Sequence, residues 1–227
     1  MPSIFFMPPR PALLLQIPAT LAILAWLPGN AFKLLSLLLV WGLGFGRLAL
    51  REAALFAGAC LFFGLMNVLA LRQGIFAFSA PDLLGMPWYE FFMWGFYLLH
   101  GWRLLGGPAP AASAAQHRAA WLLALAYAAA FGTLSDPTQL LWATAALLGL
   151  ALLLFHEPLD LAYAGYLLAL VALVEYTGVQ SGQWHYPQPP ADGVPLWFVT
   201  LWAGVGLFLR RLIVPLLRTG SGTTAET

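Results

Sequence analysis

The chain has 227 residues, of which 61% are hydrophobic and only 8% are charged. Soluble domains carry about 25% charged residues, so this composition excludes a soluble domain and predicts an integral membrane protein. The formal charge of +1 and the lack of a basic cluster in the sequence exclude a nucleic-acid partner. The single cysteine, Cys60, excludes an intrachain disulfide and a thiolate metal cluster.

Eight apolar segments, separated by proline, glycine and charged residues, are long enough to be membrane helices. The first is expected to be a retained helix because it lacks the small-residue pattern of a signal-peptide cleavage site. In chain order the segments are residues 11–27, 33–50, 53–71, 87–105, 118–134, 138–155, 159–179 and 195–217. The predicted fold class is therefore all-α integral membrane, with eight transmembrane helices.

The second half of the sequence repeats the first at a spacing of 108 residues. Residues 67–94 align with residues 175–202 without a gap. The eight helices are thus predicted to form two parallel four-helix repeats, residues 1–110 and 111–218, followed by a disordered cytoplasmic tail at 219–227. The matched pairs that carry this alignment are Gly74 and Gly182, Phe76 and Trp184, Phe78 and Tyr186, Pro81 and Pro189, Gly85 and Gly193, Pro87 and Pro195, and Trp94 and Trp202.

Basic residues set the expected orientation, because cytoplasmic loops are enriched in lysine and arginine. Eight basic residues fall on one side of the predicted helices, and only Lys33 and Arg72 fall on the other. We therefore expect both termini in the cytoplasm of a bacterial cell, with the chain in its inner membrane and loops 73–86 and 180–194 facing outward. The eight residues are Arg10, Arg47, Arg51, Arg103, Arg118, Arg210, Arg211 and Arg218.

Two acidic residues lie inside predicted helices, near their outward ends. Glu175 takes the place of the uncharged Asn67, and Glu90 takes the place of Phe198 in the other repeat. Ionisable groups within a bilayer are unfavourable and are typical of functional sites. Desolvation favours the protonated form of such a carboxyl, which a proton donor requires. We expect the two carboxyls to share an outward-facing cavity between the repeats.

Other polar residues are assigned simpler roles. Glu52 and Asp160 occupy matched positions at the starts of the third and seventh helices, where an acidic side chain stabilises the helix N-terminus. Arg103, Arg210 and Arg211 are interpreted as cytoplasmic anchors whose side chains extend to the membrane surface.

No metal or cofactor is predicted. His185, Asp192 and Glu175 are conceivable ligands, but no HxxxH or ExxH spacing supports a metal site. The sequence contains no Walker, Rossmann or haem-binding motif either.

The outward loops resemble those of membrane carotenoid-biosynthesis proteins, namely the carotenoid hydratase and the small, duplicated lycopene cyclase families. The resemblance rests on a membrane acid followed by Gly-Gln-Trp-His-Tyr at 182–186 and by Asp-Gly-Val-Pro-Leu-Trp at 192–197. The segment 85–91 is similar to the Pro-x-Glu-Glu-Phe element of the cyclases, although Tyr89 stands in place of its first glutamate. These segments cover about a third of the chain.

The resemblance implies protonation of an isoprenoid double bond, followed by cyclisation or hydration, without a cofactor. Glu175 would be the proton donor and Glu90 the second carboxylate. Aromatic faces stabilise a carbocation by roughly 0.5–2 kcal/mol each. The residues assigned to substrate binding are Trp184, Tyr186, Trp197, Trp88, Tyr89, Asn67 and His185.

Two alternatives remain open at this point. One is a small carrier or lipid-binding bundle in which Glu175 couples to protons or contacts a head group; the other is an assembly or scaffold protein. The expected partners are the bilayer, an apolar lipid or isoprenoid, and a second copy of the chain, whereas a scaffold protein would have no small ligand. A buried carboxyl that only hydrogen-bonds across helices is compatible with all of them.

Overall fold

The computed structural model describes residues 10–187 and 193–218. These residues form a helical bundle with one small pair of strands, β1 (Ala77–Phe78) and β2 (Trp184–His185). The first eight helices are α1 (Arg10–Trp26), α2 (Asn30–Phe45), α3 (Leu50–Arg72), α4 (Glu90–Leu105), α5 (Ala114–Thr133), α6 (Pro137–Leu154), α7 (Pro158–Gln180) and α8 (Trp197–Phe208). Helix α8 continues through a π-helical turn, Leu209–Ile213, into α9, Val214–Arg218.

Four helical segments are long and apolar enough, by length and composition, to cross a membrane: α3, α6, α7 and the continuous segment Trp197–Arg218. Large apolar side chains are exposed on the outside of the bundle, which suits contact with lipid. The chain is thus a multi-pass membrane protein, whereas a full crossing by the other helices stays a prediction. Examples of the exposed side chains are Leu15, Leu43, Leu61, Leu122 and Leu153.

Local sequence signals explain two helix boundaries that differ from the predicted ones. Helix α2 ends at Phe45 because Gly46 adopts a φ of +61°, which leaves the helical region. Helix α5 begins at Ala114 because Ser113 and Gln116 form a capping box, with N–H to side-chain oxygen distances of 3.0 and 3.2 Å.

Ser113→Ala is expected to destabilise the folded chain by about 1 kcal/mol, because the first turn of α5 loses its side-chain acceptor. The free energy of unfolding can be measured by denaturing-detergent titration in mixed micelles. The matched control is Ser113→Asn, which keeps an acceptor and should stay within a few tenths of a kcal/mol of the wild type. An equal loss in both variants would show that the cap is not responsible.

The loops that follow α3 and α7 meet in the strand pair, which the sequence did not predict. Strands β1 and β2 are antiparallel, and Ala77 pairs with His185. Because these two residues are 108 positions apart, the pairing has the register of a local two-fold axis. The stacked pair Trp94 and Trp202, with ring centroids 4.5 Å apart, is related by the same spacing.

Two buried ion pairs also recur at this spacing. Arg103 Nε donates to Glu52 Oε1, and Arg211 Nε donates to Asp160 Oδ1, both at 2.8 Å. The two carboxylates also accept the N–H of Ala49 and Glu157 at 3.0 Å, so they lie at helix N-termini as predicted.

The prediction that Arg103, Arg210 and Arg211 extend to the membrane surface is wrong. Their exposed fractions are 6%, 1% and 4%. Arg103 and Arg211 turn inward because carboxylates at the starts of α3 and α7 supply the counter-charge. Buried arginine requires such pairing.

Helices α4 and α8 form the centre of the bundle. Helix α4 packs against α1, α3 and α7, and α8 packs against α5, α6 and α7. The α7–α8 contact is close at Gly206, where an added Cβ would lie 2.3 Å from the carbonyl oxygen of Tyr163. This close approach fixes the position of the helix that carries Trp197 and Trp202.

Candidate functional site

A cavity of about 70 Å³ lies among α3, α4, α7 and α8, at the end of the bundle that carries the strand pair. We call it the carboxylate cavity. Since a water molecule occupies about 30 Å³, the space suits a small polar group and not a whole lipid. Its lining residues are Asn67, Phe76, Phe78, Glu90, Trp94, Tyr97, Val171, Glu175, Trp184, Tyr186, Trp197, Phe198, Leu201 and Trp202.

Glu175 is held by the loop that follows its own helix. Trp184 Nε1 donates to Glu175 Oε1 at 2.7 Å, and the Tyr186 hydroxyl donates to the same oxygen at 2.5 Å. Gly182, with a φ of +70°, turns the chain back so that β2 lies over the end of α7. Gly178 leaves room for the indole, because a Cβ there would lie 2.0 Å from the Trp184 ring.

Glu90 enters the carboxylate cavity from the first half of the chain. It is the first residue of α4, and Asn67 Nδ2 donates to its Oε1 at 2.9 Å. Asn67 thus hydrogen-bonds to one carboxyl of the cavity. Glu175, which is the counterpart of Asn67 at the 108-residue spacing, carries the other carboxyl. The described residues that line the cavity include no lysine, arginine or histidine. The site therefore combines two carboxyls with aromatic walls and no basic partner.

Two tryptophans that line the carboxylate cavity carry unpaired hydrogen-bond donors. The indole nitrogens of Trp94 and Trp197 are buried and have no hydrogen-bond partner among the described residues. Leaving a buried N–H unpaired costs about 1–3 kcal/mol. Such groups are normally satisfied by water or by a ligand oxygen.

Not all the residues assigned to this site from sequence reach it. Trp88 is 42% exposed, His185 is exposed on β2, and Tyr89 lies in a different cavity beside Lys33. The amino-acid sequence around Glu90 and Glu175 does not show which neighbouring side chains face the cavity and which face away from it. The assigned residues that do line the carboxylate cavity are Glu90, Glu175, Asn67, Trp184, Tyr186 and Trp197.

Sequence reasoning did not assign several aromatic residues of the cavity. Trp94 and Trp202 were matched in the repeat alignment, as were Phe76 and Phe78 with their counterparts, so their recurrence was an available signal. Tyr97 carried no such signal, because its position depends only on which face of α4 turns inward.

Among the described residues, no group of three or more histidine, cysteine, aspartate or glutamate side chains is placed to hold a metal ion. Asp192, one of the conceivable ligands, lies outside the described residues.

Comparisons with known proteins place the fold. No protein-family model and no curated protein sequence matches the chain. Its structure is similar to that of MvINS, a mycobacterial Insig homologue from Mycobacterium vanbaalenii, with a TM-score of 0.58 and 17% identity over 74% of this chain and 94% of that chain. It is also similar to a cross-linked trimer of an MvINS cysteine variant, with a TM-score of 0.61 and 17% identity over 79% of this chain and 100% of that chain.

These matches correct the sequence-based resemblance to carotenoid hydratases and lycopene cyclases, which is wrong. The motif behind it is accounted for by a local contact, since Trp184 and Tyr186 both hydrogen-bond to Glu175. The chain therefore shares its helical membrane fold with an Insig homologue.

Proposed function

We propose that this chain is a membrane lipid-binding protein whose carboxylate cavity holds the hydroxyl-bearing head of an otherwise apolar lipid. The observation that carries the proposal is the pair of unpaired indole donors, Trp94 and Trp197, in the same small cavity as Glu90 and Glu175. A hydroxyl accepts from an indole N–H and donates to a carboxyl oxygen, so one group satisfies both kinds of partner.

The charge of the cavity selects against other head groups. Two carboxyls without a basic lining residue disfavour a phosphate or a carboxylate. The cavity volume of about 70 Å³ admits a head group, while the rest of the lipid would lie along the apolar outside of the helices. The two carboxyls would then act as hydrogen-bond partners of the bound head.

The proposal is tested by identifying the lipids that remain bound to the protein. Wild type and Glu175→Gln are purified in a mild detergent, and bound lipids are measured by native mass spectrometry and by chromatography of extracts. We expect wild type to retain a hydroxyl-bearing lipid and the variant to retain about tenfold less, because a buried polar group left without its hydrogen-bond partner costs roughly 1–3 kcal/mol.

A matched control is Glu157→Gln, which makes the same chemical change at the other end of α7, where the side chain is 44% exposed. It should leave the bound lipid unchanged. Trp197→Phe removes the indole N–H and one of the two fused rings but keeps an aromatic face and both carboxyls, so it should weaken binding less than Glu175→Gln does. If the wild type retains no hydroxyl-bearing lipid, or if Glu175→Gln retains as much, the proposal is wrong.

We further propose that the chain consists of two parallel four-helix repeats, residues 1–110 and 111–218, with eight transmembrane helices and both termini in the cytoplasm of a bacterial inner membrane. Helices α3 and α7 support the repeat, because both have 23 residues and their ends are separated by 108 positions. The twin ion pairs and the register of the strand pair support it as well. Similarity to a cross-linked MvINS trimer supports a homo-oligomer.

A further inference from the structure

We propose that a second cavity, on the other side of the strand pair, binds a phosphate-type oxyanion. This cavity, which we call the Lys33 cavity, has a volume of about 260 Å³. It therefore has room for a tetrahedral oxyanion and several waters, since each water occupies about 30 Å³. Its lining residues are Gly29, Asn30, Lys33, Ser79, Ala80, Tyr89, Gly182 and Gln183.

The Lys33 cavity contains a buried positive charge that has no negative partner among the described residues. Lys33 is only 4% exposed. Its ammonium group donates to Gln183 Oε1 and lies 5.6 Å from the centre of the Tyr89 ring, and both of these partners are uncharged. Every ion pair among the described residues involves an arginine instead. Burial of an ammonium group is strongly unfavourable unless an opposite charge is near, so the cavity favours an anion.

The other polar groups around Lys33 are suited to an anion. Helix α2 begins at Asn30, so the N–H groups of its first turn, which have no partner within the helix, are at this end of the cavity. Ser79 and Tyr89 also line the cavity, and each carries a hydroxyl group that can donate a hydrogen bond. An oxyanion at Lys33 would thus contact an ammonium group, hydroxyls and a helix N-terminus.

The acidic side chain that contacts Asn30, a residue of the Lys33 cavity, is already engaged. Asp82 Oδ2 accepts from Asn30 Nδ2 at 2.8 Å and from the Trp88 N–H at 2.9 Å, and Asp82 does not line the Lys33 cavity. Its contacts fix Asn30 and the β1–α4 loop in place, and leave the Lys33 charge uncompensated among the described residues.

The repeat alignment shows that this polarity is specific to one half. At the 108-residue spacing, the counterpart of Lys33 is Leu141 and the counterpart of Gln183 is Ile75. Packing of a four-helix unit therefore does not require a lysine at this position. The two cavities also differ in chemistry, because the carboxylate cavity repels the anion that the Lys33 cavity attracts.

A phosphate group can come from a phospholipid head or from free phosphate, so the experiment has two arms. The purified full chain in a neutral detergent is titrated with inorganic phosphate by calorimetry. It is also titrated with dioleoylphosphatidic acid, and with trioleoylglycerol, which carries neither a phosphate nor a hydroxyl, by native mass spectrometry. The variants are Lys33→Met, Lys33→Arg and, as a matched control, Arg72→Met, which removes the other basic residue of the same side from an exposed position.

Lys33→Met is expected to weaken binding of the phosphate-bearing ligand about tenfold or more, whereas Lys33→Arg and Arg72→Met should stay within a few fold of wild type. Loss in both arms assigns the site to the phosphate group from either source; loss with the phospholipid alone assigns it to a lipid head, and loss with inorganic phosphate alone to the free anion. Should Lys33→Met fail to fold, Gln183→Glu places a carboxylate beside Lys33 and should give the same loss.

Two results would overturn the proposal. In the first, wild type binds no inorganic phosphate and prefers dioleoylphosphatidic acid no more than trioleoylglycerol. In the second, Lys33→Met and Arg72→Met weaken binding equally, which would show that only the overall charge of this side matters.

Discussion

Arg211→Met is expected to destabilise the folded chain by about 3–5 kcal/mol, because it leaves a buried carboxylate without its counter-charge. Asp160 is 0% exposed, and its Oδ1 accepts from Arg211 Nε at 2.8 Å. Methionine keeps an apolar side chain of similar length, so the loss reports the guanidinium, including its contact 4.8 Å from the centre of the Phe155 ring, more than the volume. The free energy of unfolding in mixed micelles measures the effect.

A second substitution separates charge burial from packing. Asp160→Asn in the Arg211→Met background removes the unpaired charge and should recover a substantial part of the lost stability. The ion pair between Arg103 and Glu52 offers a further comparison. Arg103→Met should destabilise the fold less than Arg211→Met, because the Glu52 side chain is 12% exposed and can contact water. Equal losses in the single and double Arg211 variants would contradict this explanation.

Gly206→Ala is expected to destabilise the fold by about 3 kcal/mol or more, because two helices must move apart. The added Cβ would lie 2.3 Å from the Tyr163 carbonyl oxygen and 2.9 Å from Ala164 Cα. Both are backbone atoms, so no side-chain rotation relieves the contact. Since α8 also carries Trp197 and Trp202, the same variant should retain less bound lipid.

Gly149→Ala is the matched control for Gly206→Ala. Gly149 lies within α6, and an added Cβ there would have no atom within 4 Å. Alanine in a helix interior is favoured over glycine by roughly 0.5–1 kcal/mol, so this variant should be neutral or slightly more stable. The thermal unfolding temperatures of the two variants, measured in the same detergent, test both predictions. If the two variants unfold at the same temperature, close α7–α8 packing does not limit stability.

Much of the helical layout was predictable because proline, glycine and charged residues interrupt the apolar segments. The predicted seventh segment, 159–179, differs from α7 by one residue at each end. The strand pair was not predictable, since strands of two residues have no detectable periodicity and depend on contacts between distant loops.

The candidate site was predictable only in part. Glu90 and Glu175 stood out because each is an acid inside an apolar segment, where its counterpart is uncharged. Tyr97 and Lys33 did not, because a membrane helix is apolar on every side and its sequence does not show which face turns inward. The resemblance to carotenoid enzymes failed for a related reason: a carboxyl held by a tryptophan and a tyrosine is compatible with more than one function.

The register of the strand pair has a consequence for the origin of the chain. On the proposed duplication, an ancestral four-helix protein would have paired as a homodimer, with its loop strands meeting across the symmetry axis. Such a dimer must carry the same residue on both sides, so Asn67 and Glu175 would have been one residue, and so would Glu90 and Phe198. Fusion of the two genes would have removed that constraint. Each copy would then have been free to evolve its own half of a single, one-sided site.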